Sequence, residues 1–468
     1  MSSSSRASFA RNWRTFSNFY EYRTCTWRVP VGLLYRRGMV SRRSVLRAVP
    51  LAAAALTAAP GHPRWLGGSS TSTDPVRVPP DPATTEAAAT AVRGFTADLY
   101  RTLASTRAGG NVVCAPYSIG LALAMTRAGA GSTTADEMDA VLHAPYPRPG
   151  ALDSGLNTVD QMLAGRYQDG DGTKQPRLTT ANALWTRLDL GLRPGFRDTL
   201  AGYYGAAPHP VDFRGAPEVA RQEINTWVSD RTNAKIPELL GSGAVSPDTS
   251  LILTNTTYLM AAWKYPFTAT ATAVGPFTRD DGSVVDVPIM RGPFDRMGYL
   301  EGDGWRAVDV PYAGGGLAMA IVMPTRDDLA AVEANLDVTW LGTLLTGFRL
   351  TDVQLRLPRW TFRLPAELGA ALGSLGMPTA FTSQADFTAM STEPALCIDD
   401  VVHETFIAVD EKGTEAAAAS AVIIRPPSIP QGPQFFVDRP FLYVIHDQLT
   451  GVPLFLGRVH DPLVTGPA

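Results

Sequence analysis

The residue types that most often perform catalysis are scarce in this chain and badly spaced for it. The six histidines are His62, His143, His209, His403, His446 and His460. None has a metal partner at helical spacing, and His403-Glu404 lacks the second histidine of a zinc-protease helix. No G-x-S-x-G nucleophile elbow and no phosphate-cradling glycine loop occurs, so the glycine stretches are assigned to turns. Three cysteines, Cys25, Cys114 and Cys397, make neither a disulfide framework nor a zinc site, and the last two are expected as buried free thiols. The sequon Asn255-Thr256-Thr257 falls in an apolar run, where burial is expected rather than glycosylation. The chain is therefore not expected to be an enzyme, and no metal or cofactor is implied.

The segment with the most unusual chemistry contains no catalytic group. Residues 410–430 read DEKGTEAAAASAVIIRPPSIP. Glu, Lys and Ala favour helix, yet Gly413 opens the run, prolines close it, and Val422, Ile423 and Ile424 favour strand. Written as a strand, one face carries Thr414, Ala416, Ala418, Ser420, Val422 and Ile424 and no charge. The other carries Glu415, Ala417, Ala419, Ala421 and Ile423 before Arg425. Such a segment could enter a sheet with its uncharged face inward, its small side chains meeting little resistance and Gly413 acting as pivot.

The elements that must position this segment are mixed. Helical spacing marks residues 83–104, 118–127 and 133–142, with a short strand at 111–116 stopped by Pro116. Strands are expected at 178–186 and 250–258, and helices at 194–204 and 217–232. Residues 275–325 are strand-rich, with turns at DDG, EGDG and AGGG. Helices at 326–345 and 366–375 flank a strand at 353–362, and strand character returns after Leu396 up to 454–459. No internal repeat appears. One α+β domain of about 375 residues follows.

Charge is unevenly distributed. Of 41 basic and 44 acidic residues, residues 1–59 hold ten Arg and one acid, a net of +9. The remainder has 31 basic and 43 acidic residues, a net of −12, which offers nucleic acid no counterion-release driving force. Ser41-Arg42-Arg43-Ser44-Val45-Leu46 is a twin-arginine pattern before the apolar run 48–59, an export signal over 39–60. Pro50 and the shortness of the run argue against a membrane span, which needs about 20 apolar residues. Met39 precedes the motif, so residues 1–38 are expected to be an upstream extension from a wrongly chosen start. Residues 61–82, polar and Pro-rich, are expected as a tether. The expected product is secreted and extracellular, free of membrane once the signal is removed.

DEKGTEAAAASAV resembles the hinge of inhibitory serpins, and the likeness extends in one order from about Ala88 to His460. NVVCAPYSIGLALAMTRAGAGSTTADEM, INTWVSDRTNAKIPELL and LILTNTTYLMAAWKYPF are similar to the family's early helices, long helix and central strand. Cys114-Ala115 stands where the family usually has Phe-Ser. DVVHETFIAVDEKGTEA and DRPFLYVIHDQLTGVPLFLGRV resemble the strand before the reactive loop and the C-terminal signature. The chain thus resembles a secreted, inhibitory-type bacterial member. The likeness implies a serpin fold over 83–462: a large central mixed β-sheet, two smaller sheets, about eight to nine helices, and an exposed reactive-centre loop near 412–434.

The likeness also implies residue roles. Ser118, Asn255 and His403 fall at the shutter, Trp263 at the breach, and Glu411, Gly413, Thr414, Glu415, Ala416, Ala417, Ala418 and Ala419 in the hinge. The implied activity is suicide-substrate inhibition of a serine, or alternatively a cysteine, endopeptidase by a monomer. A non-inhibitory serpin acting as a binding or carrier module is the alternative, although such members often have bulky or charged hinge residues. Counting seventeen residues inclusively from Glu411 makes Pro427–Ser428 the attacked bond. A proline on the leaving side speaks against Arg425–Pro426, Pro426–Pro427 and Ile429–Pro430. Ile424–Arg425 and Ser428–Ile429 remain as alternatives.

Overall fold

The computed structural model describes residues 77–145, 150–326, 328–393, 396–415 and 432–465. Helices α1 (Thr85–Ser105), α2 (Pro116–Arg127), α3 (Ser132–Val141), α4 (Ala151–Tyr167), α5 (Pro194–Thr199) and α6 (Pro217–Arg231) dominate the first half. They alternate with strands β1 (Val112–Cys114), β2 (Arg177–Arg187) and β3 (His209–Val211). Then come β4 (Leu251–Ala262), β5 (Ala273–Thr278), β6 (Val284–Gly302), β7 (Trp305–Pro311) and β8 (Leu317–Pro324). Helices α7 (Leu329–Ala334) and α8 (Val338–Thr346) precede β9 (Arg349–Pro358) and β10 (Trp360–Glu367), and α9 (Gly369–Leu375) follows. The chain closes with β11 (Asp400–Val409), β12 (Gly413–Thr414), β13 (Gln434–Phe436), β14 (Phe441–Asp447) and β15 (Val452–Val459).

Two sheets organise these elements. The central one has the order β10-β11-β12-β4-β2-β3, with β11 also pairing β4 directly. The second is a nine-stranded sheet in the order β1-β15-β14-β8-β7-β6-β9-β13, with β5 beside β6; long β6 joins what would otherwise be two smaller sheets. Strands β8, β14 and β15 are buried at every position; β8 is a continuous apolar run, while β14 and β15 also bury His446, Asp447 and Arg458. The main core runs from α1 and α2 across both sheets, and a separate cluster packs α6 residues Ile224 and Val228 on Trp185, Ile252 and Val402 of the central sheet.

Several local expectations shift for identifiable reasons. The expected 326–345 helix is two helices, because Asp328 and Asp337 each cap a new start by accepting from Ala331 and Trp340 amides. The expected strand at 353–362 breaks at Arg359, between β9 and β10, and β10 runs on to Glu367, so α9 starts only at Gly369. Helix α4 was not expected, although Leu152, Leu156, Val159, Leu163 and Tyr167 fall at helical spacing; its buried surface also takes in Asp153, Asn157 and Thr158. Those polar groups are satisfied from outside. Arg77 donates to Asn157 and Asp160, and the Asn157 amide donates to the Val78 carbonyl. The end of the expected tether is thus docked on α4, while residues 1–76, including the export signal, lie outside the described residues. Among the described residues no helix is long and apolar enough to cross a membrane.

Candidate functional site

Strands β4 and β11 run parallel and pair directly from Ile252↔Asp400 to Thr257↔Thr405. Above that level they part, and Gly413–Thr414 occupies the fork: Gly413 pairs with Ala262, and Thr414 with Ala261 on one side and Val409 on the other. The reactive loop was expected to be exposed from residue 412. Gly413 and Thr414, both expected in that loop, instead lie in the sheet as β12. Glycine is required there, because a Cβ on Gly413 would sit 2.0 Å from the Ala261 carbonyl oxygen, at φ +152°. Thr414 is buried, and its hydroxyl lies 2.6 Å from the Tyr312 hydroxyl.

Trp263 closes the top of this fork. Its indole donates to the Asp410 carbonyl at 2.9 Å, and its ring stacks on Tyr312 with centroids 4.5 Å apart. Its amide donates to the Lys412 carbonyl, and the Phe267 amide to that of Glu411. Burial pushes the Glu411 carboxyl up, but hydrogen bonds from Arg359 and Thr272 outweigh it and hold the group below its ordinary range. Glu415 ends β12 in the left-handed region, at φ +49°, and its carboxylate meets the Lys235 ammonium at 2.5 Å.

Lower down, where the strands touch, Ser118, Asn255 and His403 are brought together. Ser118 lies in the first turn of α2, started by Pro116, and Asn255 and His403 are direct neighbours across β4 and β11. The Asn255 amide donates to Ser118 Oγ and to Asn182 Oδ1, both at 2.6 Å, and Ser118 Oγ donates to Asn182 Oδ1. His403 Nδ1 faces Asn255 Oδ1 at 2.7 Å and the Asn255 carbonyl at 3.2 Å. Both are acceptors, so Nδ1 carries the proton. Nε2 accepts from the Ala115 amide at 3.3 Å and faces the Thr405 hydroxyl at 2.5 Å. The ring is therefore neutral, and burial pushes its pKa down to about 4. Asn182 and Thr405 complete a network of which the sequence reading named three members.

The remaining expected site residues separate from these. Ala416, Ala417, Ala418, Ala419, Ile424, Arg425, Pro427 and Ser428 lie outside the described residues. Cys114 and Cys397 are free thiols, and burial raises the Cys114 thiol to about 12. Among the described residues no group of three or more His, Cys, Asp or Glu could hold a metal ion.

Residues 90–462 match the family model described as Serpin (serine protease inhibitor). An uncharacterized serpin-like protein of Thermococcus kodakarensis is 36% identical over 377 residues, covering 80% of this chain and 85% of the relative. A leukocyte elastase inhibitor of Sus scrofa is 33% identical, covering 79% and 97% of the two chains. The crystal structure of human thyroxine-binding globulin superposes with a TM-score of 0.71 at 25% identity, over 81% of this chain and 99% of that one.

Proposed function

This chain belongs to the serpin family, and on that footing we propose that it is a secreted suicide-substrate inhibitor of an endopeptidase, of the serine class. The observation that carries the reading is the register of β12. Thr414 stands opposite Ala261 and Val409. Continued downward in that register, Ser420 would fall opposite both Asn255 and His403, themselves paired across β4 and β11. A hydroxyl would thus enter where those two side chains now bond each other, so one satisfied network could replace another. Residues 414–424, even positions, would turn their uncharged face toward α2.

The mechanism follows. The protease nucleophile attacks a loop carbonyl, the peptide bond breaks, the leaving amine takes the proton, and an acyl-enzyme remains. The freed arm inserts between β4 and β11, separating their six direct pairs and completing the sheet. Ile424 would reach Leu251, the first residue of β4. Cleavage at Pro427–Ser428 leaves three residues to clear the sheet's end before the tethered protease, whereas Ile424–Arg425 leaves none. This supports Pro427–Ser428. From Thr414 to Pro427 the acyl end would travel roughly 14 × 3.3 Å, on the order of 45 Å. Dragged that far, the protease loses its catalytic geometry before water can deacylate it.

Where the arm would enter, the buried Oγ1 atoms of Thr256 and Thr257 and Asn182 Nδ2 have no hydrogen-bond partner within the fold, and an unmet buried polar group costs about 1–3 kcal/mol. The leukocyte elastase inhibitor among the relatives supports the inhibitory reading, and thyroxine-binding globulin supplies the contrast of a carrier. The test is incubation with a panel of serine and cysteine endopeptidases followed by denaturing gels. A covalent complex is expected, with a loop-cleaved form that melts higher than the intact chain. Clean cleavage without complex for every protease, and an unchanged melting temperature, would replace inhibition with carriage.

A further inference from the structure

Lys235 lies in the turn after α6 and was singled out by no motif. It nevertheless stands over the point where the central sheet divides. The last direct pair of the parting strands is Thr405↔Thr257. The next residues up, Phe406 and Tyr258, flank the opening, and Lys235 Nζ lies 5.4 Å from the Phe406 ring centroid. Burial and the Glu415 carboxylate together raise the Tyr258 phenol's pKa, which places that carboxylate on the other flank. The ammonium meets Glu415 Oε1 at 2.5 Å, and the Glu415 side chain is only 7% exposed.

We propose that Lys235 is a positioning residue for the hinge: it holds Glu415 at the fork and so fixes how far β12 is threaded. Three features support this placement. Glu415 is a non-glycine residue at φ +49°, a conformation that persists only where the surroundings hold it. The two residues before Lys235, Asn233 and Ala234, share that left-handed region at φ +52° and +57°, so the turn presenting the lysine is itself held out of ordinary geometry. The Lys235 carbonyl is anchored by the Arg363 guanidinium on β10, which ties the turn to the sheet it guards. Removing the cation leaves a buried carboxylate without a charge partner, and such a group escapes to water by the shortest route, here the withdrawal of β12. Deeper threading requires residue 415 to become extended and to leave the ammonium.

The consequence for inhibition rests on the reading above, but the placement itself can be measured without any protease. Hydrogen exchange of the intact chain is followed for the peptide spanning residues 406–415, with β14 and β15 as internal reference. Lys235→Met is expected to speed exchange at Thr414 and Glu415 about tenfold and leave the reference unchanged. Lys235→Arg is expected to keep the protection within about twofold, and the reversal Lys235→Glu with Glu415→Lys to restore it. The Arg363 contact uses the backbone and survives all three. Should Lys235→Met not fold, Glu415→Gln is measured in its place with the same expectation. Unchanged hinge protection, loss spread equally over β14 and β15, or failure of the reversal overturns the proposal. Wild-type chain that forms no complex with any protease would sink the inhibitory reading alone.

Discussion

The two ends of the gap between β4 and β11 are closed by different chemistry. At the lower end Ser118, Asn182, Asn255, His403 and Thr405 form an uncharged network, with Asn255 and His403 wholly buried. At the upper end the strands have parted, and the hinge is held by ions at the sheet's margin: Glu411 with Arg359 and Glu415 with Lys235. The contrast follows from solvent. A neutral network in a dry site closes two strands without burying charge, and every member depends on its neighbours. Ion pairs near water are weaker, adjustable and screened. On the reading proposed above, the lower end is the barrier to insertion and the upper end its starting position.

The sharpest way to break this division is at Gly413. Any side chain there collides with the Ala261 carbonyl, which belongs to the backbone of β4 and cannot step aside. Gly413→Val is expected to expel β12, to leave the lower network intact and, on the inhibitory reading proposed above, to abolish trapping. On denaturing gels the covalent complex should vanish while loop cleavage continues. A variant that still forms the complex would show that threading does not start at β12.

Acid probes the other end. His403 has an ordinary pKa near 6.5, pushed down to about 4 by burial. Between those values the unfolded chain binds more protons than the folded one, so stability rises with pH across that window and is lost as pH falls through it. The difference is on the order of 3 kcal/mol. A proton on Nε2 would also face the Ala115 amide, donor against donor, and push the start of α2 off the sheet. Between about pH 6.5 and 4, unfolding of the intact chain should accelerate, and His403→Gln should flatten that dependence. An acid response equal in both proteins would remove His403 from the barrier.

The lower network was largely legible and the upper one was not. Ser118, Asn255 and His403 could be placed from their motifs, since each sits in a long segment whose order resembles a known family. Asn182 could not: in a strand that reads Thr179-Thr180-Ala181-Asn182, polarity alone does not say which residue is buried. Its one usable signal was an amide in the interior of the strand expected at 178–186. Tyr312, Arg359 and Lys235 gave no signal, because they come from separate turns and strand ends and meet only through the tertiary fold. Helix α4 was legible and went unread: Leu152, Leu156, Val159 and Leu163 fall at helical spacing, and only its buried polar groups, met by residues 77–81, gave no sign. The hinge was expected from its small residues, but the placement of Gly413 and Thr414 in the sheet was not, because small residues permit threading without fixing its extent.

The smallest expected effect separates the two ends most cleanly. Arg359 is 43% exposed by its side chain while Glu411 is 8%, so the pair is half in water. Arg359→Ala leaves Glu411 with the Thr272 hydroxyl and its backbone contact to Phe267. The loss is expected to be about 1 kcal/mol or less, the range of screened pairs. Salt supplies the control. Raising ionic strength shortens the Debye length from about 10 Å at 0.1 M to about 3 Å at 1 M. Hydrogen exchange at residues 410–415 should therefore quicken with salt in the wild type and respond less in Arg359→Ala. At neutral pH the lower network has no charge to screen, so protection at residues 253–257 should not follow. Salt that loosens both ends in parallel would mean that they open as one unit, and that the ions close the sheet together with the neutral bonds beneath them.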